Sequence, residues 1–132
     1  MYPGGNNVGL LFTDPTLPGI NLPYSPYVLP NNAQYGGSTC VNVGAGTTGQ
    51  LFKGPVSNFN GTPPAGYVDT YAVSPVLFEV GDEGGPAFLS PTTGMTHYLI
   101  GVNARGPNGE SLISRTDAGV ATWIASQVAA HP

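Results

Sequence analysis

Residues able to do chemistry are few in this 132-residue chain, and three of its seven carboxylates gather in one place. Gly81–Pro86 reads Gly-Asp-Glu-Gly-Gly-Pro, with Glu79 just ahead of it. Hard cations take carboxylate oxygens, so Glu79, Asp82 and Glu83 raise a calcium site as one reading. Their spacing matches no known cation loop, and a solvated or locally paired acidic patch is the plainer one. Cys40 is the single cysteine. With no Cys or His nearby in sequence, it reads as a small buried strand residue rather than a nucleophile or metal ligand. The two histidines are His97, on a late strand, and His131, in the tail. Zinc-type sites fail on ligand count, and no metal or cofactor is expected.

The elements that must position these groups are short. Strands are expected near Val8–Phe12, Ser38–Gly44, Gln50–Ser57, Tyr67–Ser74, Pro86–Leu89, Tyr98–Ala104 and Leu112–Arg115. Tyr98, Ile100, Val102 and Ala104 alternate with His97, Leu99, Gly101 and Asn103, the period-2 pattern of a strand with one inward face. Between the first two strands, Thr13–Pro30 holds Pro15, Pro18, Pro23, Pro26 and Pro30 and reads as an extended linker over a surface. A helix is expected from Thr116 or Asp117, both good caps, with Val120, Trp123, Ile124 and Val128 on its buried face. A chain of this length buries ~65–70% of its unfolded surface. Twenty Gly and fourteen Pro fit many short strands joined by turns, because 40% hydrophobic residues, with seven Tyr and five Phe, supply a core.

Charge removes whole function classes. Lys53, Arg105 and Arg115 are the only basic residues against seven acidic ones, a net charge of −4. Nucleic-acid binding needs a basic stripe to displace counterions, and three scattered cations cannot build one. No apolar run approaches the ~18–20 residues that span a bilayer. No basic-then-apolar leader follows Met1.

Four segments together resemble the trypsin/chymotrypsin-like serine protease family. Gly81–Pro86 looks like that family's nucleophile loop, Gly-Asp-Ser-Gly-Gly-Pro, with Glu83 in the place of serine. Asn6-Asn7-Val8-Gly9-Leu10-Leu11 is similar to the segment carrying the catalytic aspartate, with Asn7 in its place. His97–Gly106 stands where the family has a strand ending in Gly-Val-x-Ser-Trp-Gly, and Ser111–Ile124 resembles its last strand and closing helix. Thr39–Gly46 is placed like the first strand of the second barrel.

The resemblance implies an all-β fold: a trypsin-like second β-barrel, six-stranded and of Greek-key type, with a C-terminal helix. An extended N-terminal strand and a Pro-rich linker precede it. Residues 1–35 would form the strand and linker, and residues 36–132 the barrel with its helix. The Val8–Phe12 strand would belong to a first barrel that this sequence lacks, together with the catalytic histidine. The degenerate catalytic positions are Asn7 and Glu83, and no residue is placed like that histidine. Gly81, Asp82 and Glu83 would be the remnant of the oxyanion loop, where main-chain N–H groups stabilise developing negative charge. A carboxylate there is a poor acyl acceptor and brings charge of the wrong sign. Leu77, Arg105 and Leu112 would be the remnant of the specificity pocket, altered or filled. In active relatives the aspartate matching Asp82 pairs with a new amino terminus. Here it would stay exposed or find a local donor, either Arg105 or backbone N–H groups.

These implications lean away from an enzyme and leave three readings. One is a catalytically inactive protease homologue acting as a binding, scaffold or assembly module. Another is a C-terminal fragment or inactivated form of a secreted serine endopeptidase. The last is a structural subunit of an extracellular assembly or filament. By the family resemblance the protein would be secreted. Val8, Leu10, Leu11 and Phe12, with no first barrel to bury them, would associate with a second copy or a protein partner.

Overall fold

The computed structural model describes residues 8–10, 38–60, 70–90, 98–116 and 119–131. Six strands close into an antiparallel barrel: β1 Ser38–Gly44, β2 Phe52–Asn60, β3 Thr70–Ser74, β4 Pro86–Ser90, β5 Leu99–Arg105 and β6 Ser111–Arg115. Their order around the barrel is β1-β2-β3-β6-β5-β4. A single 3-10 turn at Gly46–Thr48 follows β1, and helix α1, Gly119–Ala130, follows β6.

The period-2 side-chain alternation of strands decides what fills the interior. Cys40 and Asn42 of β1 point inward, as do Ser57 and Phe59 of β2, Tyr71 and Val73 of β3, and Ala87 of β4. Cys40 faces Ser57 across the β1–β2 ladder, and Asn42 faces Ala87 across β1–β4. Phe59 and Tyr71 meet edge to face with ring centroids 5.0 Å apart, a geometry that adds to simple area burial. The Arg115 guanidinium carbon also lies over the Tyr71 ring, 4.9 Å from its centroid.

Two irregularities shape the barrel. In β2 the register shifts between Val41↔Val56 and Val43↔Lys53, so Gly54 and Pro55 share the space opposite Asn42. Pro55 has no N–H to give a ladder, and a bulge is where a strand tolerates it. In β5, Ala87 pairs with Gly101 and Phe88 with Leu99, leaving Ile100 as the extra residue. An extra residue reverses the inward face of everything beyond it. Ile100 is buried before the shift; Gly101 and Asn103 are buried after it. The simple alternation expected from Tyr98 to Ala104 therefore breaks at Ile100. Gly101 is required there, because a Cβ would meet the Ile113 side chain and the Ser114 carbonyl.

β1 keeps its expected bounds, and β4 and β6 differ by one residue at one end. β2 starts at Phe52 and runs on to Asn60, later than the expected Gln50–Ser57. The Val8–Phe12 strand does not form over the residues described: Val8–Leu10 adopt no strand, and Leu11 and Phe12 lie outside the described residues. Val8 is itself buried, at 3% exposure, so that apolar side chain is covered within its own chain. The helix also departs from expectation. Val120 and Ala121 are its buried residues, Trp123 and Ile124 are half-buried, and Val128 is 56% exposed. Thr116 does not act as its cap: the hydroxyl donates to the Leu99 carbonyl at 3.0 Å. Asp117 lies outside the described residues. β6 is buried on both faces, with Ser111 and Ile113 inward and Leu112 and Ser114 buried on the outer side. No helix among the described residues is long and apolar enough to cross a membrane.

Candidate functional site

The acidic loop connects β3 to β4 and is tied down along its length. The Ser111 hydroxyl accepts hydrogen bonds from the Leu77 and Phe78 N–H groups at 2.9 and 2.8 Å, fixing the approach. Two successive turns follow, Asp82 N–H to Glu79 C=O and Gly85 N–H to Asp82 C=O, each 3.2 Å. Gly84 N–H then donates to Asn103 C=O at 2.9 Å, and Asn103 N–H returns to Gly85 C=O at 2.8 Å. Gly81 turns through φ +100°, and a Cβ there would collide with the Gly46 carbonyl. Only glycine meets both demands.

Asp82 supplies the strongest anchor. One carboxylate oxygen accepts the Gly46 N–H at 2.8 Å and the other accepts the Glu79 N–H at 2.8 Å. The local donors that the sequence left open are thus backbone N–H groups. Arg105 turns elsewhere, its Nη1 lying 3.9 Å from Glu83 Oε1.

Glu83 folds back on its own loop. Its Oε2 accepts the Gly81 N–H at 2.9 Å. Its own N–H and that of Gly81 hold the carboxyl below the ordinary glutamate range; Arg105 reinforces this and Asp82 opposes it. Both acidic side chains of the Gly81–Pro86 loop are therefore committed to N–H donors rather than turned together toward a cation. Among the described residues no group of three His, Cys, Asp or Glu is arranged to hold a metal ion.

The predicted pocket residues separate. Arg105 borders a cavity of about 250 Å³ together with Glu83, Gly84, Val102, Asn103 and Ala104. Leu77 lines a different hollow of about 120 Å³, with Phe52, Phe78, Asp82, Asn42 and Asn103. Leu112 reaches neither, being fully buried on the outer side of β6. Asn7 and His97 lie outside the described residues. His131 sits exposed at the end of α1, with Nδ1 2.8 Å from the Gln127 carbonyl.

Sequence reasoning missed the polar centre beneath the loop. Asn42 Nδ2 donates to Asn103 Oδ1 at 2.7 Å, and Asn103 Nδ2 donates to the Val43 carbonyl at 2.9 Å. The Cys40 thiol donates to Asn42 Oδ1 at 3.4 Å and lies 3.4 Å from the Ser57 hydroxyl. Burial pushes that thiol up, partly offset by the Ser57 hydrogen bond, the state of an inert structural cysteine. The available signal was positional: Asn42 stands two residues from Cys40, on the same strand face.

Compared with family models, with curated proteins and with solved structures, this chain matches none. The geometry of the molecule itself therefore carries the functional argument.

Proposed function

We propose that this protein is a catalytically inactive trypsin-like serine protease homologue that works as a binding, scaffold or assembly module. The observation that carries the reading is the Glu83 carboxylate, drawn back onto the Gly81 N–H in the loop that resembles the nucleophile loop. A carboxylate in that position offers no acyl acceptor. It also places negative charge where acyl transfer has to stabilise it. A closed six-stranded antiparallel barrel followed by a helix is compatible with the fold that the resemblance implies.

Two measurements test the parts of this reading. The protein is expected to hydrolyse neither peptide nor ester substrates and to resist serine-directed covalent probes. Glu83→Ser is expected to remain inactive, because no histidine of the described residues stands beside the loop to activate a new hydroxyl. Turnover by the wild type that Glu83→Ala abolishes would overturn the assignment.

The assembly form draws on Leu51, Phe52, Val56, Val76 and Val80, large apolar side chains that stand 54–80% exposed and are open to contact with another surface. Val8 is covered, so these residues replace it as the expected contacts. Sedimentation velocity is expected to show concentration-dependent association, weakened by a Phe52→Ser/Val56→Ser double change. A monomer at every concentration would remove the assembly role and leave binding.

A further inference from the structure

We propose that two copies of this chain pair across the open end of the β1–β2 hairpin, Leu51 of each copy seating in a hollow of the other and Lys53 of each meeting Glu79 of the other. The inference rests on the assembly reading and deepens it by naming the partner and the contacts.

The hairpin end stands clear of the neighbouring strand. Gly44 pairs with Phe52 and Val43 with Lys53, whereas β3 reaches β2 only at Asn58, Phe59 and Asn60. Among the described residues, Phe52–Ser57 therefore has β1 alone beside it. A strand lying on a core buries alternate residues, but Leu51, Phe52 and Lys53 are exposed in succession. A strand edge left open in this way can recruit another strand. Lys53 and Pro55 oppose that here, because a charge disfavours an incoming apolar strand and proline has no N–H to offer. Side chains, not an added strand, are what this end presents to a partner.

Those side chains stand beside a hollow of about 120 Å³, bordered by Phe52, Gly54 and Pro55 of β2 and by Leu77 and Phe78 ahead of the acidic loop. The Ser111 hydroxyl holds Leu77 and Phe78 by their N–H groups, so the hollow is formed in advance. Leu51 is 80% exposed and does not line it, although its neighbour Phe52 does. An apolar knob beside an apolar recess that it leaves open in its own chain suits a two-fold pair, in which each copy offers both. Burying a leucine side chain in such a recess is favourable.

Charge supplies the second match. Lys53 is exposed and makes no ion pair among the described residues, and the exposed Glu79 carboxylate accepts no hydrogen bond among them. Lys53 follows Phe52 and Glu79 follows Phe78, so cation and anion flank the two segments that border the hollow. A two-fold turn of such a face sets each cation against the other copy's anion. With a net charge of −4, two copies repel at long range. The local pairs then select the register in which opposite signs meet.

Sedimentation velocity over a concentration series tests the pairing. Lys53→Glu and Glu79→Lys are each expected to weaken self-association about tenfold or more, because like charges then face one another. Mixing the two variants should restore association to the wild-type level, since both ion pairs re-form with their senses exchanged. Leu51→Ser should weaken association several-fold without touching charge. All three side chains are exposed, so melting temperatures are expected to stay at the wild-type value. Association that ignores the charge changes and Leu51→Ser, or a mixture that stays dissociated, would overturn this pairing and leave the assembly reading standing. A monomer at every concentration would remove both and leave the hairpin end to a different protein.

Discussion

Replacing Asn103 by alanine is expected to destabilise the protein by about 3 kcal/mol, because a buried partner and a part-buried one lose their hydrogen bonds together. Asn42 Nδ2 would lose its acceptor and the Val43 carbonyl its donor. Asn42 is 6% and Asn103 3% exposed, so water cannot readily replace the bond lost between them. The change also slackens the ground under the loop, since Asn103 is the residue that Gly84 and Gly85 bond through the main chain. Urea denaturation gives the free-energy difference. Combining Asn42→Ala with Asn103→Ala should cost clearly less than the two single changes added, because the second removes a group already left unpaired. A loss under about 1 kcal/mol for Asn103→Ala would show that the pair is solvated or rearranges freely.

The larger effect is expected at Phe59. Its ring is fully buried, packs edge to face on Tyr71 and belongs to the cluster formed with Cys40, Val73, Phe78, Ala87, Ile100 and Ile113. Truncation to alanine leaves a cavity that closely spaced strands cannot collapse around, and costs about 3–5 kcal/mol. Domains of this kind are stable by only about 5–15 kcal/mol in all, so Phe59→Ala should leave a measurably unfolded fraction. Phe52 provides the internal comparison, being the same residue type on the same strand but 54% exposed. Phe52→Ala should stay within about 0.5 kcal/mol of the wild type. Equal losses at the two positions would mean that β2 is not registered as described.

Much of this architecture was written locally. The run Ser38–Gly44 predicts a strand and forms one with the same bounds, because Val41 and Val43 are β-branched and glycines flank the segment. The loop at Gly81–Pro86 was legible for a similar reason. Gly81 must take a positive φ and lie against the Gly46 carbonyl, and only that residue type permits it. Cys40 could be read as buried and inert from its isolation alone. Other features are properties of closure, not of local pattern. The extra residue at Ile100 depends on how β5 pairs with β4, and that pairing alone turns Asn103 into the interior to meet Asn42, sixty-one residues away in sequence. Nothing within Tyr98–Ala104 announces the change of face, since the run alternates acceptably in one phase throughout. The burial of Val8 and of both faces of β6 likewise needs elements distant in sequence. The Glu83 carboxylate belongs with them. Residue type placed a charge in a glycine loop, but its return onto the Gly81 N–H depends on the path that Asp82, Gly46 and Asn103 impose on the backbone, because a hydrogen bond of 2.9 Å exists only where three-dimensional anchoring holds donor and acceptor in place.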